Sequence, residues 1–152
     1  MHTLPFSIRF GPRVSIREKL WLSVSLLTGL LNIHSRNIVH GNIRSSNCGI
    51  FRDFILLLMD FSLKGSFYFN YTGVNGVKYI NAFSPREPFF SMPIEKEFTL
   101  APERLLHTST NVPDLEQQKR ADVFSAGCVI AAIFGNGLPL FTEADLPYIA
   151  AV

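Results

Sequence analysis

Cysteine is scarce in this chain, and the scarcity excludes several chemistries at once. The two present, Cys48 and Cys128, lie far apart with no C-x-x-C and no histidine at metal-ligand spacing. A zinc cluster and a disulfide framework are thereby excluded, and reduced thiols are the simplest reading. Long apolar runs are absent as well: the longest, Ala126 to Phe134, is far short of the ~20 residues that span a bilayer. The first residues lack a charged-then-apolar leader pattern, so the chain reads as soluble and cytoplasmic. For the same reason the sequon Asn70-Tyr71-Thr72 reads as a chance match. Charge of neither sign dominates. Basic and acidic residues interleave to a net +2, so no basic stripe for nucleic-acid phosphates can be drawn.

What is there suffices for one domain: 152 residues, 47% of them apolar. Residues 1–14, with Pro5, Gly11 and Pro12, read as an irregular lead-in, and residues 15–152 as the domain. A helix begins at Ser15, where Ser15 and Glu18 form an S-x-x-E capping box. Its apolar stripe, Ile16, Leu20, Val24, Leu27 and Leu31, is expected to be the buried face. His34, at the end of that stripe, reads as a packed or capping histidine. After a loop over 38–47, Gly49-Ile50-Phe51 and Phe54 to Leu58 predict two short strands around a turn at Arg52-Asp53. Residues 62–100 show no sustained periodicity and read as one long loop. Ala101-Pro102-Glu103-Arg104 predicts a helical turn. A second loop, 107–118, then leads to a helix over 120–134, apolar on nearly every side and so expected at the centre of the domain.

Four landmarks stand in fixed order: His40-Gly41-Asn42-Ile43-Arg44-Ser45-Ser46-Asn47, Asp60-Phe61-Ser62, Ala101-Pro102-Glu103, and Asp122-x-x-Ser125-x-Gly127. Together they resemble the large lobe of the eukaryotic protein kinases. The resemblance implies an α+β, mainly α fold, a protein-kinase-like C-terminal lobe. It is closest to the kinase-like regulatory subunit of class III phosphatidylinositol 3-kinase. That family carries His-Gly in place of His-Arg in this loop and a small residue other than Gly after Asp-Phe.

The resemblance assigns roles residue by residue. Asn42 stands where kinases carry the carboxylate that takes the proton of the attacking hydroxyl. An amide cannot take that proton at neutral pH, and loss of a general base costs ~10² to 10⁴ in rate. The loop is therefore read as that of a pseudokinase, the alternative being an active serine/threonine kinase that tolerates Asn42. Arg44 stands where a lysine would contact the transferred phosphate. Asn47 and Asp60 match the positions that hold Mg²⁺ with ATP, and two readings stay open: ligation of Mg-ATP, or holding the shape of the loop. His40 is implied to pack under Phe61, Asp122 to accept backbone N–H groups from His40 and Gly41, and Glu103 to be an acid whose arginine partner lies elsewhere. Gly41 replaces an arginine that pairs with a phosphorylated activation loop. Ser62, in place of a glycine, is expected to stiffen the Asp60 segment.

No Gly-rich loop and no strand lysine precede Ser15, so the ATP-binding small lobe is not represented in this sequence. Either a longer polypeptide or a partner would have to complete it. The implied partner is the phosphatidylinositol 3-kinase catalytic subunit, in endosomal and vacuolar sorting and autophagy. His2 is not an acceptor for myristate, so membrane contact, peripheral and on endosomes, is expected only through partners.

Overall fold

A computed structural model describes residues 2–3, 14–51, 55–61, 70–72, 78–80, 97–105, 113–145 and 148. The turn at Arg52-Asp53, Ser62, most of the lead-in and most of the 62–100 segment lie outside the described residues.

Helix α1 (Ile16–His34) starts with the capping box read from sequence: Ser15 Oγ accepts from the Glu18 N–H at 3.3 Å, and Glu18 Oε2 accepts from the Ser15 N–H at 2.6 Å. Strands β2 (Cys48–Phe51) and β3 (Ile55–Leu58) pair antiparallel, Cys48 opposite Leu58 and Phe51 opposite Ile55. This hairpin lies where the two short apolar runs predict it. Strand β1 (His2–Thr3) adds to the far side of β2, so the lead-in contributes one short strand. Strands β4 (Asn70–Thr72) and β5 (Lys78–Ile80) form a second antiparallel pair inside the segment read as one loop. Both are three residues long, too short to leave a period in the sequence.

Helix α2 (Pro102–Leu105) is the predicted single turn, and helix α3 (Leu115–Phe134) begins five residues earlier than periodicity indicated. A second capping box explains the difference. Asp114 Oδ1 accepts from the Gln117 N–H at 2.7 Å while Gln117 Oε1 accepts from the Asp114 N–H at 3.0 Å, so a first turn polar but for Leu115 is held by its cap. Helix α3 is buried on one face only. Ala126, Val129 and Ile133 enter the core, whereas Val123 is 54% exposed, which corrects the expectation of an all-round buried helix.

The larger correction concerns α1. The face that packs carries Leu22, Leu26 and Leu30, which join Ile43, Cys48, Leu56 and the α3 residues in one core. The stripe Ile16, Leu20, Val24, Leu27 and Leu31 is between 48% and 69% exposed. Both stripes are apolar at helical spacing, so hydrophobicity alone does not choose between them. Size does. The packed side is interleaved with Ser25 and Gly29; the Ser25 hydroxyl bonds both Leu56 backbone groups, and a methyl at Gly29 would lie 3.8 Å from the Leu58 side chain. Small residues there admit the hairpin to close range.

Helices α1 and α3 run antiparallel and tie each other's ends. Lys19, in the first turn of α1, donates to Asn136 Oδ1 at 2.6 Å and to the Phe134 carbonyl at the end of α3. Lys119, early in α3, donates to Asn37 Oδ1 at 3.1 Å beyond the end of α1. Asn37 and Asn136 both have positive φ, the left-handed conformation that ends helices. Each lysine thus meets the negative end of the opposite helix dipole.

Candidate functional site

The loop 40–47 crosses between α1 and β2, and its shape is set by contacts from distant elements. Its first anchor is Asp122, 2% exposed on the buried face of α3. Asp122 Oδ2 accepts from the His40 N–H and Oδ1 from the Gly41 N–H, both at 2.8 Å. His34 Nε2 lies 3.0 Å from Oδ2, so the last turn of α1 joins the same carboxylate. A buried charge with three donors is a satisfied one. Gly41 sits at φ 74°, a conformation that side chains resist, so glycine suits the backbone here.

His40 is fully buried and its ring stacks at a tilt on Phe61, centroids 4.3 Å apart. Burial lowers its pKa, against the pull of the Asp122 charge, the Met59 carbonyl and Asp60. The ring is neutral at physiological pH. Nδ1 accepts from the Asn42 N–H at 3.3 Å, which puts the ring proton on Nε2, a buried nitrogen with no hydrogen-bond partner among the described residues. Such a ring packs and does not shuttle protons.

Asn42 uses its side chain as a donor. Its Nδ2 faces the Asp60 carbonyl at 3.5 Å, a long contact, while its own carbonyl accepts from Asn47 Nδ2 at 2.9 Å. Asn47 is buried, and its carbonyl accepts from the Met59 N–H at 2.9 Å. Asp60 sits at φ 57°. Asn42, Asn47 and Asp60 are therefore joined through backbone and amide bonds into one cluster. With one Asn47 amide proton committed to the loop, its oxygen and the Asp60 carboxylate remain a donor set suited to a hard cation. No group of three or more His, Cys, Asp or Glu side chains placed to hold a metal occurs among the described residues.

The second anchor was not visible in the sequence. Glu97 reaches Ser45 with both oxygens: Oε2 accepts from the Ser45 N–H at 2.9 Å and Oε1 from the Ser45 hydroxyl at 2.5 Å. Two residues on, Thr99 Oγ1 donates to the Ile43 carbonyl at 2.9 Å, and Ser125 Oγ donates to the Thr99 carbonyl at 2.7 Å. Burial pushes the Glu97 carboxyl above the usual carboxylate range, against the lowering effect of the Ser45 bonds and the Arg44 charge. Arg44 keeps its Nε buried without a hydrogen-bond partner. Glu97 stands two residues before the Thr99-Leu100-Ala101 stretch, but Glu95 lies beside it, so the sequence carries no signal that singles it out.

The remaining residues singled out from sequence stand apart. Glu103 is exposed on α2 and has no ion-pair partner among the described residues. It lines a cavity of about 300 Å³ with Arg104, Pro113, Gln117 and Arg120, none of them in loop 40–47. Neither thiol is a nucleophile: burial, with the nearby Glu97 charge, pushes Cys48 up to about 12 and Cys128 to about 11. Among the described residues no helix is long and apolar enough to cross a membrane.

The loop is thus polar, pinned by an aspartate on the buried face of α3, and followed by a hairpin and an acid at positive φ. The serine/threonine-protein kinase VPS15 of Arabidopsis thaliana is 32% identical over 138 residues, 89% of this chain and 9% of that protein. VPS15 of Saccharomyces cerevisiae is 32% identical over 145 residues, 88% of this chain and 9% of the relative. The chain belongs to the VPS15-like kinase family. The Schizosaccharomyces pombe relative, 30% identical over 145 residues, covers 95% of this chain and 8% of its own length. No family model matches the chain. The VPS15-like chain therefore spans less than a tenth of the length of these relatives.

Proposed function

We propose that this chain is a protein-kinase-like C-terminal lobe of pseudokinase type, acting as a regulatory element of a phosphatidylinositol 3-kinase complex in endosomal and vacuolar sorting and autophagy. One observation carries the pseudokinase reading: Asn42, at the position of the catalytic base, turns its Nδ2 toward the Asp60 carbonyl. A carboxylate there could not donate and would set oxygen against oxygen. The partner would be the lipid kinase's catalytic subunit, with residence in the cytoplasm and on endosomal membranes through that partner.

Asn47 and Asp60 favour a second reading, an active serine/threonine kinase, since both oxygen ligands are present and the relatives are named as kinases. Under the kinase reading Asn47 and Asp60 would hold Mg-ATP, in which the ion neutralises phosphate charge; under the pseudokinase reading they hold either Mg-ATP or only the shape of the loop. The test is a nucleotide thermal shift on the full-length protein with and without Mg²⁺, followed by phosphoryl transfer by wild type and Asn42→Asp. Absence of transfer by wild type is expected. Robust transfer with Asn42 in place would establish the kinase reading instead.

A further inference from the structure

We propose that Glu97 is a positioning residue: an in-cis clamp that holds the turn carrying Asn47 from the segment ending at Ala101. The inference deepens the reading above, and rests on it where Asn47 is taken as a binding residue. Residues Ser45–Asn47 form a single 3-10 turn, closed by the Asn47 N–H donating to the Arg44 carbonyl at 2.9 Å. Everything Asn47 does depends on where that turn sits. Glu97 fixes its first residue at two points, backbone and hydroxyl, and a two-point contact sets orientation as well as distance.

The clamp is itself held from outside the loop. The Phe98 N–H donates to the Phe141 carbonyl at 2.9 Å, Glu97 bridges Thr142 in antiparallel fashion, and Ser125 of α3 holds the Thr99 carbonyl. Glu97 therefore belongs to a strap that runs from residues 141–142 and α3 to Ile43 and Ser45. Asp122 holds the front of the loop and this strap holds the back. A displacement of residues 97–101, by a partner docking there or on residues 141–145, is transmitted through Ser45 to Asn47. Asp122 alone gives no such route, because its bonds end at Gly41.

Amide hydrogen exchange on the full chain, without nucleotide, tests this. Glu97→Ala is expected to speed exchange at Ser45 and Asn47 about tenfold or more, leaving Leu26 and Leu30 of α1 within about twofold. Glu97→Gln retains an acceptor for the Ser45 N–H and a donor for its hydroxyl, and is expected to restore protection to within about threefold. Unchanged exchange at Ser45 and Asn47 in Glu97→Ala overturns the clamp, as does an equal acceleration at α1. Should Glu97→Ala not fold, Ser45→Ala removes the hydroxyl contact alone; faster exchange at the Asn47 amide supports the clamp, and no change overturns it. Nucleotide is not present, so failure here leaves the kinase-like reading standing, and failure of ATP binding leaves the clamp standing.

Discussion

His34 Nε2 and Asp122 Oδ2 lie 3.0 Å apart, joining the last turn of one helix to the buried face of another across 88 residues of sequence. The same oxygen receives the His40 N–H, so the histidine side chain and the loop backbone share one acceptor. Loop 40–47 is thus registered against α1 and α3 together.

Removal of Asp122 orphans two buried N–H groups and the histidine. Asp122→Ala is expected to cost about 3 kcal/mol or more, and His34→Ala only about 1 to 2 kcal/mol because the carboxylate keeps its backbone donors. Urea unfolding followed by circular dichroism measures both. Equal losses would show that the carboxylate serves the histidine and not the loop.

How much of this was legible before the structure depends on how local each contact is. The Ser15 box is local and legible directly, whereas the equally local Asp114 box opens a turn whose single apolar residue, Leu115, sets no period. The pairing of Asp122 with the loop followed from resemblance, since its bonds span 81 and 82 residues and no pattern within a window reports them. Glu97 bonds Ser45 across 52 residues and stands in no motif, so nothing local reports it either. On α1 the periodicity was real, and two apolar stripes satisfied it; only the small residues Ser25 and Gly29 marked the side that packs.

That choice of face makes a direct prediction. Leu27, about half exposed, and Leu26, fully buried, are neighbours that fall on either side of the boundary of the packed face. Leu27→Lys is expected to change stability by less than about 0.5 kcal/mol, whereas Leu26→Ala costs about 2 to 5 kcal/mol. Chemical denaturation of the pair settles the orientation of the helix, and a larger loss for Leu27→Lys would reverse it.

Two glycines are expected to respond in opposite directions to the same methyl group. At Gly41, with φ 74°, Gly41→Ala forces a left-handed backbone and costs about 1 to 2 kcal/mol. At Gly127, within α3, a Cβ would meet nothing within 4 Å, and Gly127→Ala gains about 0.5 to 1 kcal/mol of helix propensity. Thermal melting of each variant gives the sign.

Glu97 makes the pH dependence of stability distinctive. Its folded pKa lies above the ordinary carboxylate value of about 4.3. The folded state therefore holds the proton more tightly than the unfolded chain. The stabilisation this supplies is fully present below the unfolded pKa and is lost as pH rises through the raised folded value. Glu18 and Asp145, partly exposed and lowered by bonds from Ser15 and Thr142, act with the opposite sign: their contribution is present above the unfolded pKa and fades as pH falls through the lowered folded values. Glu97→Gln, a permanent mimic of the protonated carboxyl, is expected to remove the loss on the way from pH 4.5 to neutrality. It should leave the acid limb set by Glu18 and Asp145 unchanged. Urea midpoints from pH 3 to 8 compare the two proteins. If both lose stability equally above pH 4.5, the Glu97 carboxyl ionises freely, and the burial that raises it is not sustained in solution.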